Sequence, residues 1–282
     1  MITCNLKGGL GNQLFQICAT IVYALKRGDK FFFTNENFLR IGIERKTYWN
    51  DFLISLKPFT SKLNNNQFLL LGHNEHHFVD LKNYNVSNII LDGYFQSYKY
   101  FIEYEREIFS LIQLTEKQEL IKNEFYFYLN HIYSIRTVSV HFRLGDYKYK
   151  QEYHNILTLD YYKKAISELI EKNENPIKIL YFCEKEDNNF VIENYINHLK
   201  HEKIQEFVKI PDEIPDWKQL LIMSCCDDNI IANSSFSWWG AYFPNPDKTV
   251  NKTVYYPTQW FGPKMCNTHK THDMFPDSWI KI

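Results

Sequence analysis

Apolar residues recur along this chain with two periods, about two and about 3.6, and their succession predicts its elements. An apolar strand at 2–6 runs into Lys7-Gly8-Gly9-Leu10-Gly11-Asn12-Gln13, after which Leu14, Ile17, Cys18, Ile21, Val22 and Leu25 follow at helical spacing. A strand over 30–34 completes a β–loop–α–β unit whose glycine-rich first turn lets backbone approach a ligand closely. Residues 35–88 are polar, rich in asparagine and without clear period, and are expected as loops with short helices. A strand at 89–91 then leads to Asp92-Gly93-Tyr94-Phe95-Gln96-Ser97, a turn carrying aromatic and amide groups. Aromatic-faced helices are expected over 98–109 and 116–129.

The second half repeats the alternation of strand and helix. TVSVHFRL at 137–144 places Val138, Val140, Phe142 and Leu144 on one face and Ser139, His141 and Arg143 on the other. A helix over 161–172 follows, then a strand over 178–183 that ends in Glu184-Lys185-Glu186-Asp187. A helix over 190–201, a short strand over 205–210 and a helix over 216–225 lead to NIIANSSFSWWGAYF at 229–243, read as a buried strand entering a packed helix. Beyond Pro244 the chain is loop-rich, with a last strand over 254–256 and with Trp260 and Trp279 packing the tail.

Three places carry candidate chemistry. The first glycine turn lacks the dinucleotide fingerprint, because Leu14 stands where the third glycine belongs, and no Gly-Lys-Ser/Thr ends it. Asn12 and Gln13, two amides at the helix entrance, are its informative part. His141 and Arg143 point the same way at the carboxyl end of a strand, with Gly145 and Asp146 turning the chain after them. Open α/β sheets bind ligands in the crevice beyond those ends. Asn233, Ser234, Ser235 and Phe236 stand where a helix begins, a point with unpaired N–H groups and partial positive charge that suits a phosphate.

The chain of 282 residues suffices for one large domain or two ordinary ones. A net charge of −1 gives no reason to expect nucleic acid or an anionic membrane surface as partner. Aromatic residues make up 17%, mostly core, although Trp and Tyr beside a groove also suit sugar rings. The six cysteines form no CxxC pair and no metal spacing, so they read as reduced, buried hydrophobes. No signal peptide or transmembrane segment is recognisable, and the expected location is cytoplasmic.

Three separated stretches resemble the α-1,2-fucosyltransferases, inverting glycosyltransferases that use GDP-fucose. They are KGGLGNQLFQ at 7–16, VHFRLGDY at 140–147 and ANSSFSWWGAYF at 232–243, supported by GYFQSYKYF at 93–101, LDYYKKAI at 159–166 and the run at 216–235. They come in the family's order and span nearly the whole chain. Leu144 stands where the family often has a second arginine, which leaves Arg143 to carry the phosphate contact. The strand end Tyr181-Phe182-Cys183-Glu184 also differs from the Phe-Ser-Asp pattern of relatives.

The resemblance implies an α/β, GT-B-like fold, two Rossmann-like halves facing a central cleft. The expected halves are 1–135, the acceptor side, and 136–282, the GDP-sugar donor side. It implies transfer of L-fucose from GDP-β-L-fucose to the 2-hydroxyl of a β-galactoside-type acceptor glycan. No Asp-x-Asp pair stands ready for a divalent ion, so a metal-independent reaction without cofactor is expected. Arg143 and the serines would then stabilise the departing diphosphate. The residues expected to bind donor are His141, Arg143, Asn233, Ser234, Ser235, Phe236, Asn12 and Gln13. Arg143, Asp146 and His154 are the catalytic candidates, with Glu152 a further choice of base. Transfer of another GDP-linked hexose, or a catalytically silent carbohydrate-binding protein, are the alternatives.

Overall fold

A computed structural model of the protein describes residues 1–40, 43–63, 67–73, 77–129, 135–247 and 249–282. The chain forms two compact units, Met1–Thr115 with His269–Pro276, and Glu116–Thr268 with Asp277–Ile282. Each is α/β and built on its own parallel sheet, the two-part GT-B-like class that the motifs imply.

In the first unit, β1 (Ile2–Cys4) leads to α1 (Leu10–Arg27), whose left-handed C-cap Gly28 closes the helix after Lys26 and Arg27 in its last turn. Phe31 bridges back to Ile2, just before β2 (Phe33–Thr34). A short antiparallel pair follows, β3 (Phe38–Leu39) with β4 (Arg45–Lys46), and then β5 (Thr60–Ser61), which pairs with β2. The main sheet is completed by β6 (Leu69–His73) and β7 (Ile89–Gly93) in the order β1-β7-β6.

The strand β6 falls in a region expected as loop. It lies at the sheet edge with Leu69 and Leu70 exposed, so its residues do not alternate as a half-buried strand does. Within that region, residues 41–42, 64–66 and 74–76 lie outside the described residues. The helix expected over 98–109 is instead two 3-10 turns followed by the short α2 (Glu105–Leu111). The segment His269–Pro276 returns to this unit, where Ser97 Oγ donates to the Asp273 carbonyl at 2.6 Å and the Phe78 N–H to its carboxylate at 3.1 Å.

The helix α3 (Leu114–Glu124) precedes α4 (Tyr126–Leu129). On α3 the buried Gln118 amide donates to Ser224 Oγ and to the Pro244 carbonyl, each at 2.8 Å. These bonds place the helix with the second unit, so the units part earlier than the expected 135/136. Residues 130–134, just before that boundary, lie outside the described residues.

The second unit follows as β8 (Arg136–His141), α5 (Leu159–Lys172), β9 (Ile177–Phe182), α6 (Asn188–Asn194), β10 (Ile204–Lys209), α7 (Asp216–Cys225), β11 (Asp228–Ile230), α8 (Ser235–Tyr242), β12 (Thr253–Tyr256) and β13 (Ile280–Lys281). Its six parallel strands are ordered β10-β9-β8-β11-β12-β13, the doubly wound Rossmann order. Helices cover both faces, so β8 is buried nearly throughout and even His141, on its polar side, is 8% exposed. Val138, Val140, Phe142, Tyr162, Ile166 and Ile179 form part of one core layer. On the other face, Gly240 lets α8 approach α7 so closely that a Cβ there would stand 2.8 Å from Met223 Cβ. Five cysteines are buried and unbridged as expected, whereas Cys266 is exposed.

Candidate functional site

From β8 the sheet grows one way through β9 to β10, and from β11 the other way through β12 to β13. The gap between the carboxyl ends of β8 and β11 is therefore the switch point, where crossovers on opposite faces leave a crevice open to ligand. The two strands are paired in register, Val140 beside Ile230. Two tyrosines of α5 pin their ends: Tyr162 OH donates to the His141 carbonyl at 3.0 Å, and Tyr161 OH to the Ile231 carbonyl at 2.6 Å.

On the β8 side, Arg143 sits just beyond the strand with its guanidinium 4.8 Å from the centre of the Tyr147 ring. Its Nη2 donates to Asp146 and its Nη1 to Glu184. Tyr147 is stacked on His154, ring centres 4.5 Å apart. Burial first, and then the charges of Arg143 and Lys209, pull the His141 imidazole down to about 3, so it is neutral at ordinary pH. Its Nδ1 is buried without a hydrogen-bond partner.

On the β11 side, Ser234 is the N-cap of α8, with Oγ accepting from the Phe236 N–H at 3.4 Å. Ser235 is half-buried at the first helical position. Ser237, one turn in, is buried and donates to the Ala232 carbonyl at 3.4 Å. Asn233 is 2% exposed, and its amide donates to the carbonyls of Asn155 at 2.9 Å and Trp260 at 3.1 Å while Oδ1 stays buried and unpartnered. Buried polar atoms are nearly always satisfied, and here two that are not, on His141 at the end of β8 and Asn233 just past β11, lie beside the switch point.

The two sides meet. Tyr147 OH donates to the Asn233 carbonyl at 3.1 Å, and the His141 and Phe236 rings are 5.8 Å apart. His141, Arg143, Asp146, His154, Asn233, Ser234, Ser235 and Phe236 thus gather at one end of one sheet. Neighbouring serines and an arginine there can donate to a diphosphate without steric bulk.

Asn12 and Gln13 lie in the first unit, at the start of α1. Gln96 donates to Asn12 Oδ1 at 2.8 Å. Gln13 is fully buried, its amide nitrogen bonded to the carbonyls of Gly8 at 3.0 Å and Lys46 at 2.9 Å. It thereby fixes the glycine turn itself. Nearby, Lys7 pairs with Asp92 at 3.0 Å, and Phe95 holds a φ of 53°, a strained value for a non-glycine residue.

Sequence reasoning missed the group around Glu184, which lies just beyond β9 and pairs with Arg143. Gly145 adopts φ +41°, and a Cβ there would run into the Glu184 carboxylate. Its N–H donates to the buried Asp187 at 2.7 Å, and Asp187 also binds Lys148. The available signal was position: four charged residues at the carboxyl end of a strand neighbouring β8.

Glu152, a candidate base, is exposed and pairs with Lys264 at 2.5 Å. Among the described residues, no three or more His, Cys, Asp or Glu groups are arranged to hold a metal ion, and no helix is long and apolar enough to cross a membrane.

The whole chain, residues 1–282, matches Glycosyl transferase family 11. Two Escherichia coli proteins are similar along their full length. The O-antigen biosynthesis glycosyltransferase WbnK is 25% identical over 318 aligned positions, covering 100% of both chains. An alpha-1,2-colitosyltransferase is 26% identical over 307, covering 100% of this chain and 99% of that one. Among solved structures, an Arabidopsis thaliana FUT1 mutant in complex with GDP is 11% identical with a TM-score of 0.47, over 99% of this chain and 75% of that one. Matched from end to end, the chain belongs to glycosyl transferase family 11 and is a glycosyltransferase.

Proposed function

We propose that the protein transfers L-fucose from GDP-β-L-fucose to the 2-hydroxyl of a terminal galactose in an acceptor glycan, with inversion to an α-1,2 linkage and without a metal ion. The observation that carries this reading is the placing of Arg143, beyond β8, and the serine-lined start of α8, beyond β11, on the two sides of one switch point, linked through Tyr147 and the Asn233 carbonyl. As the fucosyl–phosphate bond breaks, positive charge grows on the sugar and negative charge on the diphosphate. The guanidinium, the Ser234 and Ser235 hydroxyls and the N–H groups at the helix start are donors suited to that departing charge. Asp146 orients Arg143, and His141, neutral and buried, positions the strand end rather than carrying a proton. Asp146 and His154 are the candidate proton acceptors for the acceptor hydroxyl, and His154→Gln separates them: turnover retained leaves Asp146, whereas turnover lost in a folded variant that still binds GDP assigns the proton to His154. The second unit is the donor side in this reading, and the first unit the acceptor side.

The E. coli alpha-1,2-colitosyltransferase supports one second reading. Colitose is L-fucose without its 3-hydroxyl, so a site for either sugar needs the same diphosphate grip. The test is incubation with GDP-fucose, GDP-colitose, GDP-mannose and UDP-galactose over a panel of β-galactosides, with and without EDTA, followed by linkage analysis. An α-1,2-fucosyl product insensitive to EDTA supports the proposal. A product from another donor alone, or loss of turnover in EDTA, overturns the corresponding part. Sugar binding with no GDP binding and no turnover would mark a silent carbohydrate-binding protein.

A further inference from the structure

Arg143 does not present an open fork. Its two terminal nitrogens already donate to carboxylates, Nη1 to Glu184 and Nη2 to Asp146. Those are the edges with which a guanidinium grips a phosphate side by side. On its own contacts the single cation is outnumbered, and Lys150 reaches Asp146 only at 4.0 Å from a half-exposed position. A diphosphate arriving at this arrangement would meet two like charges within ion-pair distance of the group meant to hold it. One carboxylate has to give way.

The surroundings identify which. Asp146 has a short side chain on the turn that follows Arg143 and also faces Lys150, and its side chain is 34% exposed. Asp187 is buried at 1% exposure and bound by both Lys148 and the Gly145 N–H, so it stays. Glu184 is the most exposed of the three at 45%, with one more rotatable bond than an aspartate and open solvent to turn towards. The turn after β8 is also shaped around it, since only a residue without a Cβ leaves room at Gly145 for its carboxylate.

We propose that Glu184 is a carboxylate placeholder in the donor site, resting on Arg143 when no nucleotide is present and exchanged for a phosphate oxygen when the nucleotide-sugar binds. This rests on the reading of Arg143 as the diphosphate ligand. Exchange makes the apparent affinity for any anion weaker than the fork itself would give, because part of the binding is spent releasing the glutamate. It also gives the leaving nucleotide a competitor: Glu184 returns to Arg143 as the nucleoside diphosphate departs, which favours product release.

The test uses the full chain and isothermal titration with GDP, and separately with pyrophosphate, comparing wild type with Glu184→Gln and Arg143→Lys. Glutamine keeps the shape and loses the charge. The expected result for Glu184→Gln is binding of both ligands tighter by about tenfold, with a lower donor KM and no gain in kcat. A glutamate that merely braced the arginine would do the opposite, so equal or weaker binding by a folded Glu184→Gln overturns the proposal. Folding is checked by the thermal transition of each variant. If wild type binds GDP and Arg143→Lys binds it equally well, the donor-site reading fails and the placeholder falls with it. If Arg143→Lys loses GDP while Glu184→Gln gains nothing, only the placeholder is rejected.

Discussion

The Tyr147 hydroxyl donates to the main-chain carbonyl of Asn233 at 3.1 Å, across 86 residues of sequence. Tyr147 belongs to the turn that follows Arg143, and Asn233 to the approach to α8, so one bond ties the cation's turn to the helix start. The same ring faces Arg143 on one contact and His154 on another. Site geometry therefore depends on this tyrosine without its needing to touch a substrate.

Tyr147→Phe keeps both ring contacts and removes only the hydroxyl. Stability should fall by about 1 kcal/mol, the usual net worth of such a bond. The donor KM should rise several-fold while kcat changes less. Thermal unfolding with steady-state kinetics checks this, and an unchanged KM would show that the tie is dispensable.

Arg143→Lys should lower kcat by roughly two to three powers of ten, the loss typical when one donor to developing charge is removed. An ammonium replaces the charge but not the paired N–H groups. Near-normal turnover by the purified variant would take Arg143 out of the mechanism.

His141 gives a pH dependence of stability with a definite sign. Its imidazole is held down to about 3 in the fold against 6.5 when free. Between those values the unfolded chain binds the extra proton, so the contribution is complete above 6.5 and is lost as pH falls towards about 3. The slope reaches at most about 1.4 kcal/mol per pH unit. Urea unfolding across that range should show His141→Phe with the shallower acid slope, and parallel slopes would refute the assignment.

Gly262→Ala should disturb the site from a distance. A Cβ at Gly262 would stand 2.5 Å from the Gln151 carbonyl oxygen and 2.7 Å from the Glu152 carbonyl carbon, both main chain. The Gly262 N–H also donates to the Tyr153 carbonyl at 2.7 Å, next to His154. Main chain cannot rotate away as a side chain does, so the expected loss is about 1–3 kcal/mol with a raised donor KM. A melt and a donor titration measure the two effects.

Arg136→Ala tests what holds the centre of the larger sheet. Asp228 is fully buried at the start of β11, and the Arg136 fork meets it at 2.9 and 3.0 Å from the start of β8. Removing the arginine leaves a buried carboxylate without its cation, which typically costs about 3 kcal/mol or more. Denaturant midpoints should register it clearly.

Much of the second unit was legible because its elements announce themselves locally. The alternation over 137–144 marks β8, and α7 runs Asp216–Cys225 as its apolar spacing predicts. That the turn after β8 and the start of α8 lie side by side required one further fact, the strand order that pairs β8 with β11, which residue periodicity could not supply. Glu184 was invisible as a partner of Arg143 for that reason: the pairing depends on β9 lying beside β8. The strand β6 was missed on opposite grounds. Two of its three leucines, Leu69 and Leu70, are exposed at an edge although neighbours on a strand point to opposite faces, so the pleat leaves no alternating mark.

The return of His269–Pro276 to the first unit has a consequence for recombination between relatives. A chimera spliced once near residue 115 would pair one parent's amino half with the other parent's Asp273, the residue that receives the Phe78 N–H and, through its carbonyl, the Ser97 hydroxyl. Exchange of amino halves thus calls for two seams rather than one, with the short returning stretch travelling alongside the half it fastens.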